Sequence, residues 1–144
     1  IKVRNSKLKI DSPSRLKSFK YVRTMPYPGF PTDAQAVMMS VATVAKGTTV
    51  FVENIFESRY RHVEDLTRLG ANIKVANKVA VVEGVDRLFG AKVVAKELRG
   101  AAALVVASLK AEGRTEIEGI KYLERGYEDL EVVLSSLGAN IRKV

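Results

Sequence analysis

A run of five residues occurs twice in this chain, and this internal repeat constrains the fold more than any other feature. Leu-Gly-Ala-Asn-Ile stands at residues 69–73 and again, 68 positions later, at residues 137–141. Earlier in the two copies the offset is 66, since Ala-Lys-Gly-Thr-Thr at residues 45–49 matches Ala-Glu-Gly-Arg-Thr at residues 111–115. Such self-similarity indicates that one supersecondary unit is used twice. Differences between the copies are therefore where we look for function.

Apolar periodicity predicts the elements of each copy. The expected helices span residues 32–45, 63–69, 98–110 and 127–137, and the expected strands span residues 48–52, 73–75, 79–82, 91–95, 115–120 and 140–144. A glycine follows each helix closely, as C-terminal caps do. The two long helices are rich in apolar residues, which indicates that they are buried against other helices with the sheets outside. The pattern predicts an α+β fold.

The chain is divided by its loops into three pieces. Residues 1–24 read as the terminal strands of a preceding repeat, residues 25–88 as repeat unit one and residues 89–144 as repeat unit two. The proline-rich loop at residues 26–31 marks the first boundary. At 144 residues the whole is long enough for one domain with a core.

Composition excludes several classes of site. The absence of cysteine excludes disulfides, thiolate metal sites and a cysteine nucleophile within this chain. The one histidine, His62, has no partner histidine for a usual zinc site, so we interpret it as structural and predict no metal. No apolar run approaches the ~20 residues of a membrane span, and no signal peptide is visible. We expect a cytoplasmic protein without a membrane partner.

The net charge of +8 is concentrated at the start of the chain. Residues 1–23 carry eight basic side chains and one acidic one, whereas the rest carries 16 basic and 15 acidic. A basic arm can bind nucleic acid. Here basic and apolar residues alternate as in solvent-facing strands, aromatic residues are sparse, and no groove-entering motif occurs. We therefore predict no nucleic-acid partner.

Charged residues stand at the start of both long helices. Asp33 is either a helix cap or dipole partner, or a general base or sugar-hydroxyl ligand on a rigid loop. Arg99 holds the equivalent position in the second copy, where a cation opposes the helix dipole. Arg99 either forms an ion pair with Glu97 or binds an anion.

Two further arginines also correspond between the copies. Arg59 and Arg125 are 66 positions apart, and each follows a strand and precedes a short helix. Guanidinium groups suit bidentate binding of phosphate or carboxylate, so with Arg99 they are candidates to converge on one anionic ligand. Each is also explained as a surface residue, and Glu124 and Glu128 are candidate partners for Arg125.

Four motifs occur in the order and spacing of one known family. They are Phe-Pro-Thr-Asp-Ala-Gln-Ala at residues 30–36, Phe-Glu-Ser-Arg-Tyr-Arg-His-Val at residues 56–63, Glu-Leu-Arg at residues 97–99 and Arg-Gly-Tyr-Glu at residues 125–128. Over residues 20–144 the chain resembles the C-terminal third of the UDP-N-acetylglucosamine enolpyruvyl transferase (UDP-N-acetylglucosamine 1-carboxyvinyltransferase) family. Gly-Tyr-Glu and Pro-Thr-Asp favour this family over the sister enzyme of the shikimate pathway.

The resemblance implies a bacterial enzyme of two domains, each an inside-out α/β barrel of three βαβαββ units with helices inside and mixed sheets outside. It implies transfer of the enolpyruvyl group of phosphoenolpyruvate to the 3-hydroxyl of UDP-N-acetylglucosamine, with release of phosphate and no cofactor. This reaction is the first committed step of peptidoglycan synthesis, and it links the enzyme to cell wall biogenesis, cell shape, cell cycle and cell division. The chain would supply part of one domain and half of a cleft, inactive alone.

The resemblance also assigns roles by position. Asp33 resembles the residue that contacts the sugar 3-hydroxyl and is the candidate base, and the main chain of Ile55 resembles a UDP-sugar contact. Arg99 and Arg125 resemble the arginines that hold the phosphoenolpyruvate anion. Arg59 lies at a family arginine near the closing cleft.

Glu97 is the one departure from the family pattern, which usually has aspartate before Leu-Arg. It is expected as a second acid or base, with a side chain one methylene longer. The expected partners are UDP-N-acetylglucosamine and phosphoenolpyruvate, bound together with the missing domain. The alternative is a non-catalytic module of the same fold that binds an anion or nucleotide. An unfinished domain exposes apolar surface, which allows self-association through the truncated edge.

Overall fold

The computed structural model describes residues 1–144 and contains four α-helices and ten short strands. The helices are α1 Thr32–Ala42, α2 Val63–Arg68, α3 Leu98–Ser108 and α4 Leu130–Ser136. The strands are β1 Lys2–Arg4, β2 Lys7–Lys9, β3 Lys20–Arg23, β4 Thr48–Val52, β5 Asn72–Ala76, β6 Val79–Glu83, β7 Leu88–Phe89, β8 Lys92–Val94, β9 Ala111–Glu112 and β10 Glu116–Glu118. None of the helices is long and apolar enough to cross a membrane.

Two crossover units share one construction. In the first, α1 connects β3 to its parallel neighbour β4, with Tyr21 opposite Val50. In the second, α3 connects β8 to its parallel neighbour β10, with Val93 opposite Ile117. Parallel neighbours require a crossover connection of this kind. On its other side β4 pairs with β6 and then β5, which gives a four-stranded sheet in the order β3-β4-β6-β5, and β7 pairs with β9.

Helices α1 and α3 form the largest interface between any two elements. Small buried residues line both helices, among them Ala36 and Ala42 on α1 and Ala101 and Ala103 on α3. Small side chains allow the two backbones to approach closely. Sheet residues such as Phe51 complete the core from outside. The predicted mixed α/β class with packed helices is confirmed, and the sheets remain open rather than closing into a barrel.

Glycine ends both short helices at equivalent places. Gly70 and Gly138 directly follow the C-cap residues of α2 and α4 with φ of 94° and 95°, a left-handed conformation that residues with a Cβ adopt only at a cost. The glycine stops predicted for these two helices are therefore confirmed. The stops predicted at Gly47 and Gly113 are wrong, because α1 already ends at Ala42 and α3 at Ser108, and β9 lies between α3 and Gly113. The predicted hairpin is confirmed as well, since β5 and β6 pair antiparallel with Ala76 opposite Val79 and Asn77 at φ 52° in the turn.

The C-terminal region differs from the prediction. The helix expected from residue 127 begins later, as α4 at Leu130, because Asp129 has φ of 43° and Ile120–Tyr122 forms a separate 3₁₀ turn. The strand expected at residues 140–144 does not form, and that prediction is wrong. A strand requires a neighbour with which to exchange backbone hydrogen bonds, and no strand of this chain pairs with that segment.

The basic segment at the start of the chain forms an antiparallel ribbon. All residues of β1 and β2 are exposed, with Lys2 opposite Lys9 and Arg4 opposite Lys7. Like charges directly opposite each other are destabilising, so the ribbon keeps these cations in solvent. Its solvent-facing character agrees with the alternation of the sequence.

Candidate active site

The carboxylate of Asp33 lies between two guanidinium groups at the start of α1. Arg59 Nη2 donates to Asp33 Oδ1 at 2.7 Å, and Arg99 Nη2 donates to Asp33 Oδ2 at 2.8 Å. Both distances are typical of charge-assisted hydrogen bonds. The structure thus brings together three of the residues singled out from the sequence, two from repeat one and one from repeat two.

The packing of α1 on α3 accounts for the contact between Asp33 and Arg99. The two residues are 66 positions apart, which is the repeat offset, and each is the second residue of its helix. Because the helices pack against each other, their first turns lie side by side and equivalent residues meet. A carboxylate in one copy therefore faces a guanidinium in the other.

Asp33 does not cap its own helix. Pro31 is the N-cap residue of α1, and no side chain caps it, so the cap interpretation of Asp33 is wrong. The hydrogen bond from Arg99, with support from Arg59, holds the pKa of Asp33 below its ordinary value of 3.8, and the same bond raises the pKa of Arg99. Asp33 is therefore ionised at neutral pH. More than half of its side chain is exposed, so solvent screens these attractions.

Glu97 caps α3 with its side chain. Oε2 accepts from the backbone N–H of Arg99 at 2.9 Å, and Oε1 accepts from that of Gly100. A carboxylate at this position satisfies free backbone donors and complements the helix dipole. The guanidinium of Arg99 pairs with Asp33 instead, so the predicted ion pair between Arg99 and Glu97 is wrong. An acid or base role for Glu97 remains a prediction.

Arg125 stands outside the ion-pair cluster. Its side chain is exposed, and it forms no ion pair, since Glu124 pairs with Lys143 instead. The neighbouring Tyr127 accepts a long hydrogen bond of 3.4 Å from Arg99 Nη1 at its hydroxyl, which places this segment beside the cluster. The Arg125 guanidinium thus has no ion-pair partner, and it belongs to the segment whose Tyr127 contacts Arg99.

The repeat explains why Arg125 has no carboxylate partner. In the first copy Arg59 pairs with Asp33, and the equivalent residues of the second copy are Arg125 and Arg99. Two guanidinium groups repel each other, so the second copy cannot form the pair found in the first. Arg59 and Arg99 meet at Asp33, and Arg125 forms no ion pair. Convergence of the three arginines on one anionic ligand stays a prediction.

A cleft of about 520 Å³ adjoins the cluster, because Arg59 belongs to both. Its lining residues are Ile55, Phe56, Glu57, Ser58, Arg59, Arg61 and Glu97. The Arg59 guanidinium carbon lies 4.9 Å from the centroid of the Phe56 ring, a cation–π contact that helps to orient it. Ile55, Arg59 and Glu97, all predicted site residues, thus share one concave surface.

Glu53 is a candidate that sequence reasoning missed. It follows β4 directly, is 1% exposed, and accepts hydrogen bonds from the backbone N–H groups of Ile55 and Phe56. The available signal was a single carboxylate placed between an apolar strand and the Phe-Glu-Ser-Arg motif. Because the Ile55 N–H is bound to Glu53, the free main-chain group of Ile55 is its carbonyl oxygen.

His62 is buried and its ring nitrogens have no hydrogen-bond partner. Burial, together with the nearby charge of Arg59, lowers the pKa of His62 from 6.5 to about 4. The ring is therefore neutral at neutral pH. No group of three or more acidic or histidine side chains is placed to hold a metal ion.

Comparison with known proteins identifies the family. The model of the family described as EPSP synthase (3-phosphoshikimate 1-carboxyvinyltransferase) matches residues 1–134. The chain belongs to the EPSP synthase family. This membership agrees with the resemblance drawn from the four motifs, and the individual relatives refine it.

Curated relatives with about 50% identity to this chain are named UDP-N-acetylglucosamine 1-carboxyvinyltransferase. UDP-N-acetylglucosamine 1-carboxyvinyltransferase 2 of Caldanaerobacter subterraneus subsp. tengcongensis is 49% identical over 144 residues, which are 100% of this chain and 34% of that protein. UDP-N-acetylglucosamine 1-carboxyvinyltransferase of Desulfofundulus thermocisternus is 56% identical over 120 residues, which are 83% of this chain and 49% of that protein. The chain therefore spans between a third and a half of the length of these relatives, and it matches their C-terminal part.

Solved structures support the fold. The enolpyruvyl transferase NikO from Streptomyces tendae superposes with a TM-score of 0.78 at 32% identity, covering 92% of this chain and 30% of NikO. EPSP synthase from Acinetobacter baumannii gives a TM-score of 0.63 at 17% identity and supports the fold alone. The expected enolpyruvyl transferase fold is confirmed.

The buried imidazole gives the chain an acid-sensitive stability. The unfolded chain protonates His62 near pH 6.5 and the folded chain near pH 4, so stability present above pH 6.5 is lost as the pH falls towards 4. The loss is about 2–3 kcal/mol at pH 4.5. In His62→Gln, which does not titrate, the decrease in unfolding free energy between pH 7 and pH 4.5 should be smaller by about that amount, measured by urea denaturation. Equal decreases in unfolding free energy in both proteins would contradict a lowered pKa of His62 in the folded chain.

Proposed function

We propose that this chain forms one wall of the active site of an enzyme that transfers the enolpyruvyl group of phosphoenolpyruvate to the 3-hydroxyl of UDP-N-acetylglucosamine and releases phosphate. The observation that carries the proposal is the Asp33 carboxylate held between Arg59 and Arg99 beside an open cleft. Relatives named UDP-N-acetylglucosamine 1-carboxyvinyltransferase, at 49% and 56% identity, support the choice of substrates. In the proposed division, residues 1–24 close a preceding repeat and two repeat units follow.

The arginines suit the phosphoenolpyruvate anion. This substrate carries a carboxylate and a phosphate, which are the groups that guanidinium binds in a bidentate manner. Arg125 is exposed and unpaired, so its guanidinium is available without breaking a contact. Arg99 is available after exchange of its bond to Asp33, and Arg59 lies at the edge of the cleft. We assign Arg99 and Arg125 to the anion and Arg59 to the cleft wall.

Before phosphoenolpyruvate binds, Asp33 is a poor proton acceptor. With two guanidinium groups bound, Asp33 has a lowered pKa and is a weak base. An anionic substrate competes with Asp33 for the guanidinium of Arg99, and loss of that contact raises the pKa of Asp33. Binding of phosphoenolpyruvate thus prepares Asp33 to accept the proton of the sugar 3-hydroxyl as that oxygen attacks.

The sugar is assigned to the other side of the cluster. The Ile55 carbonyl oxygen accepts no hydrogen bond within the chain, and Ile55 is one of the residues that line the cleft. It suits a donor such as a sugar hydroxyl or an amide N–H. Phosphoenolpyruvate and UDP-sugars are metabolites of the bacterial cytoplasm, so we propose that compartment and a part in cell wall synthesis. The chain alone holds half of the site and should be inactive.

The direct test measures phosphate release from phosphoenolpyruvate by the full-length protein that contains this chain. Two acceptors are offered separately, UDP-N-acetylglucosamine and shikimate 3-phosphate. Release with the nucleotide sugar alone supports the proposal. Release with the shikimate acceptor alone moves the protein to the other branch of the family, and release with neither favours a non-catalytic anion-binding module of the same fold.

Replacement of Asp33 by asparagine tests the proposed base. Asp33→Asn keeps the shape of the side chain but cannot accept the proton, so kcat should fall by roughly 10²- to 10⁴-fold while the protein stays folded. The matched control is Asp86→Asn, since Asp86 is also an exposed carboxylate paired with one arginine, Arg15, away from the cleft. An unchanged rate in Asp33→Asn would reduce Asp33 to a structural ion-pair partner.

Removal of the Arg125 guanidinium tests the proposed phosphoenolpyruvate site. Arg125→Ala should raise the KM for phosphoenolpyruvate at least about tenfold, the effect of losing one charged hydrogen bond, and should change the KM for UDP-N-acetylglucosamine less. Arg142→Ala, which removes another exposed arginine, is the control. Equal increases in both KM values would count against the assignment of Arg125.

A further inference from the structure

The carboxylate of Glu53 is the most completely hydrogen-bonded buried charge in the molecule. Oε1 accepts from Thr24 Oγ1 at 2.8 Å, from the Ile55 N–H at 2.8 Å and from the Phe56 N–H at 3.1 Å. Oε2 accepts from Thr32 Oγ1 at 3.0 Å. None of the ion pairs in the structure involves Glu53, so all of its donors are neutral hydroxyl and backbone N–H groups.

The four donors come from three separate segments. Thr24 follows β3, Thr32 is the first residue of α1, and Ile55 and Phe56 belong to the loop that lines the cleft. Thr32 directly precedes Asp33 in the chain. Glu53 therefore joins the segment that carries the proposed base to the segment that carries the proposed sugar contact, and it is not itself among the residues that line the cleft.

The second repeat builds its crossover unit without this carboxylate. The residue 66 positions after Glu53 is Gly119, and the backbone bond from Ala95 to Glu118 repeats the bond from Thr24 to Val52. The second crossover unit thus forms with glycine and alanine in place of the glutamate and the threonine.

A buried charge is costly when a smaller residue satisfies the fold. Transfer of a carboxylate from water is unfavourable unless its oxygens are well bonded, and a neutral residue avoids that cost. Repeat one keeps a buried polar side chain with four hydrogen bonds, whereas the equivalent position in repeat two is a glycine without a side chain. A buried polar side chain of this kind, kept in one copy and absent from the other, is expected at a functional site.

We propose that Glu53 is a positioning residue for the sugar side of the active site. It fixes the Ile55–Phe56 backbone and the first turn of α1, so that the Ile55 carbonyl oxygen and the Asp33 carboxylate face the same bound sugar. Because both N–H groups are bound to Glu53, the free main-chain groups of Ile55 and Phe56 are their carbonyl oxygens, which favours ligands that donate. This inference rests on the function proposed above.

The test compares three substitutions in the full-length enzyme. Glu53→Ala removes all four bonds, and a misplacement of about 1 Å can cost roughly 10²-fold, so the KM for UDP-N-acetylglucosamine should rise ten- to hundredfold. The KM for phosphoenolpyruvate should change much less. Glu53→Gln should restore the wild-type value, because its carbonyl oxygen accepts the three bonds of Oε1 and its amide donates to Thr32 Oγ1. Thr32→Val removes one bond and should raise the same KM a few-fold.

The control is Glu83→Ala, which removes an exposed glutamate at the opposite end of the same sheet. Both KM values should be unchanged in it. A purely stabilising role of Glu53 would lower the amount of active enzyme and leave both KM values unaltered, and that result in Glu53→Ala would overturn the inference. Failure of Glu53→Gln to restore the KM would overturn it too, because charge rather than geometry would then matter.

Two further outcomes are distinguishable. Where Glu53→Ala does not fold, Thr32→Val decides, and an unchanged KM for the nucleotide sugar in that variant overturns the inference. A wild-type protein that releases no phosphate with UDP-N-acetylglucosamine overturns the proposed function and this inference with it. An active wild type with unaltered kinetics in Glu53→Ala overturns this inference alone.

Discussion

The packing of α1 against α3 is the constraint on which the site depends. The two helices occupy equivalent places in two copies of one unit, and small buried side chains allow them to lie close together. Their first turns then meet, so any two residues at the equivalent second position of each helix are brought into contact. In this chain those residues are Asp33 and Arg99.

The chemistry of the site comes from differences between the copies. Had both copies kept the same charge at the second helix position, two like charges would have faced each other at hydrogen-bonding distance. Instead a carboxylate faces a guanidinium. The same logic leaves Arg125 unpaired where its counterpart Arg59 is paired. Glu53 extends the pattern, since its counterpart is Gly119. One repeated scaffold thus supplies a fixed carboxylate, two engaged arginines and one free arginine.

Sequence reasoning predicted most of the elements, because helix stops and hairpin turns are local signals. Gly70 and Gly138 mark the ends of α2 and α4 through a backbone conformation that needs no information from elsewhere in the chain. The strand expected at residues 140–144 failed for the opposite reason. Its existence depends on a neighbouring strand, and a periodic pattern cannot show whether that neighbour is present.

The sequence identified most of the site residues but did not predict which of them contact each other. Asp33, Arg59 and Arg99 were each singled out, yet Asp33 was open to a capping role and Arg99 to a pair with Glu97. Which partner wins depends on the contact between two helices 66 residues apart, and sequence spacing alone does not give that contact. Glu53 was missed because its importance lies in four donors from three segments, which become neighbours only after folding.

The central claim is that Asp33 is held between two guanidinium groups before any substrate binds. The most direct measurement is a ¹³C NMR titration of the Asp33 side-chain carboxyl in the unliganded protein, repeated in Arg99→Gln. The account predicts a pKa below the ordinary 3.8 in the wild type and a return towards that value in the variant. An Asp33 that titrates at its ordinary value in both proteins would contradict the account.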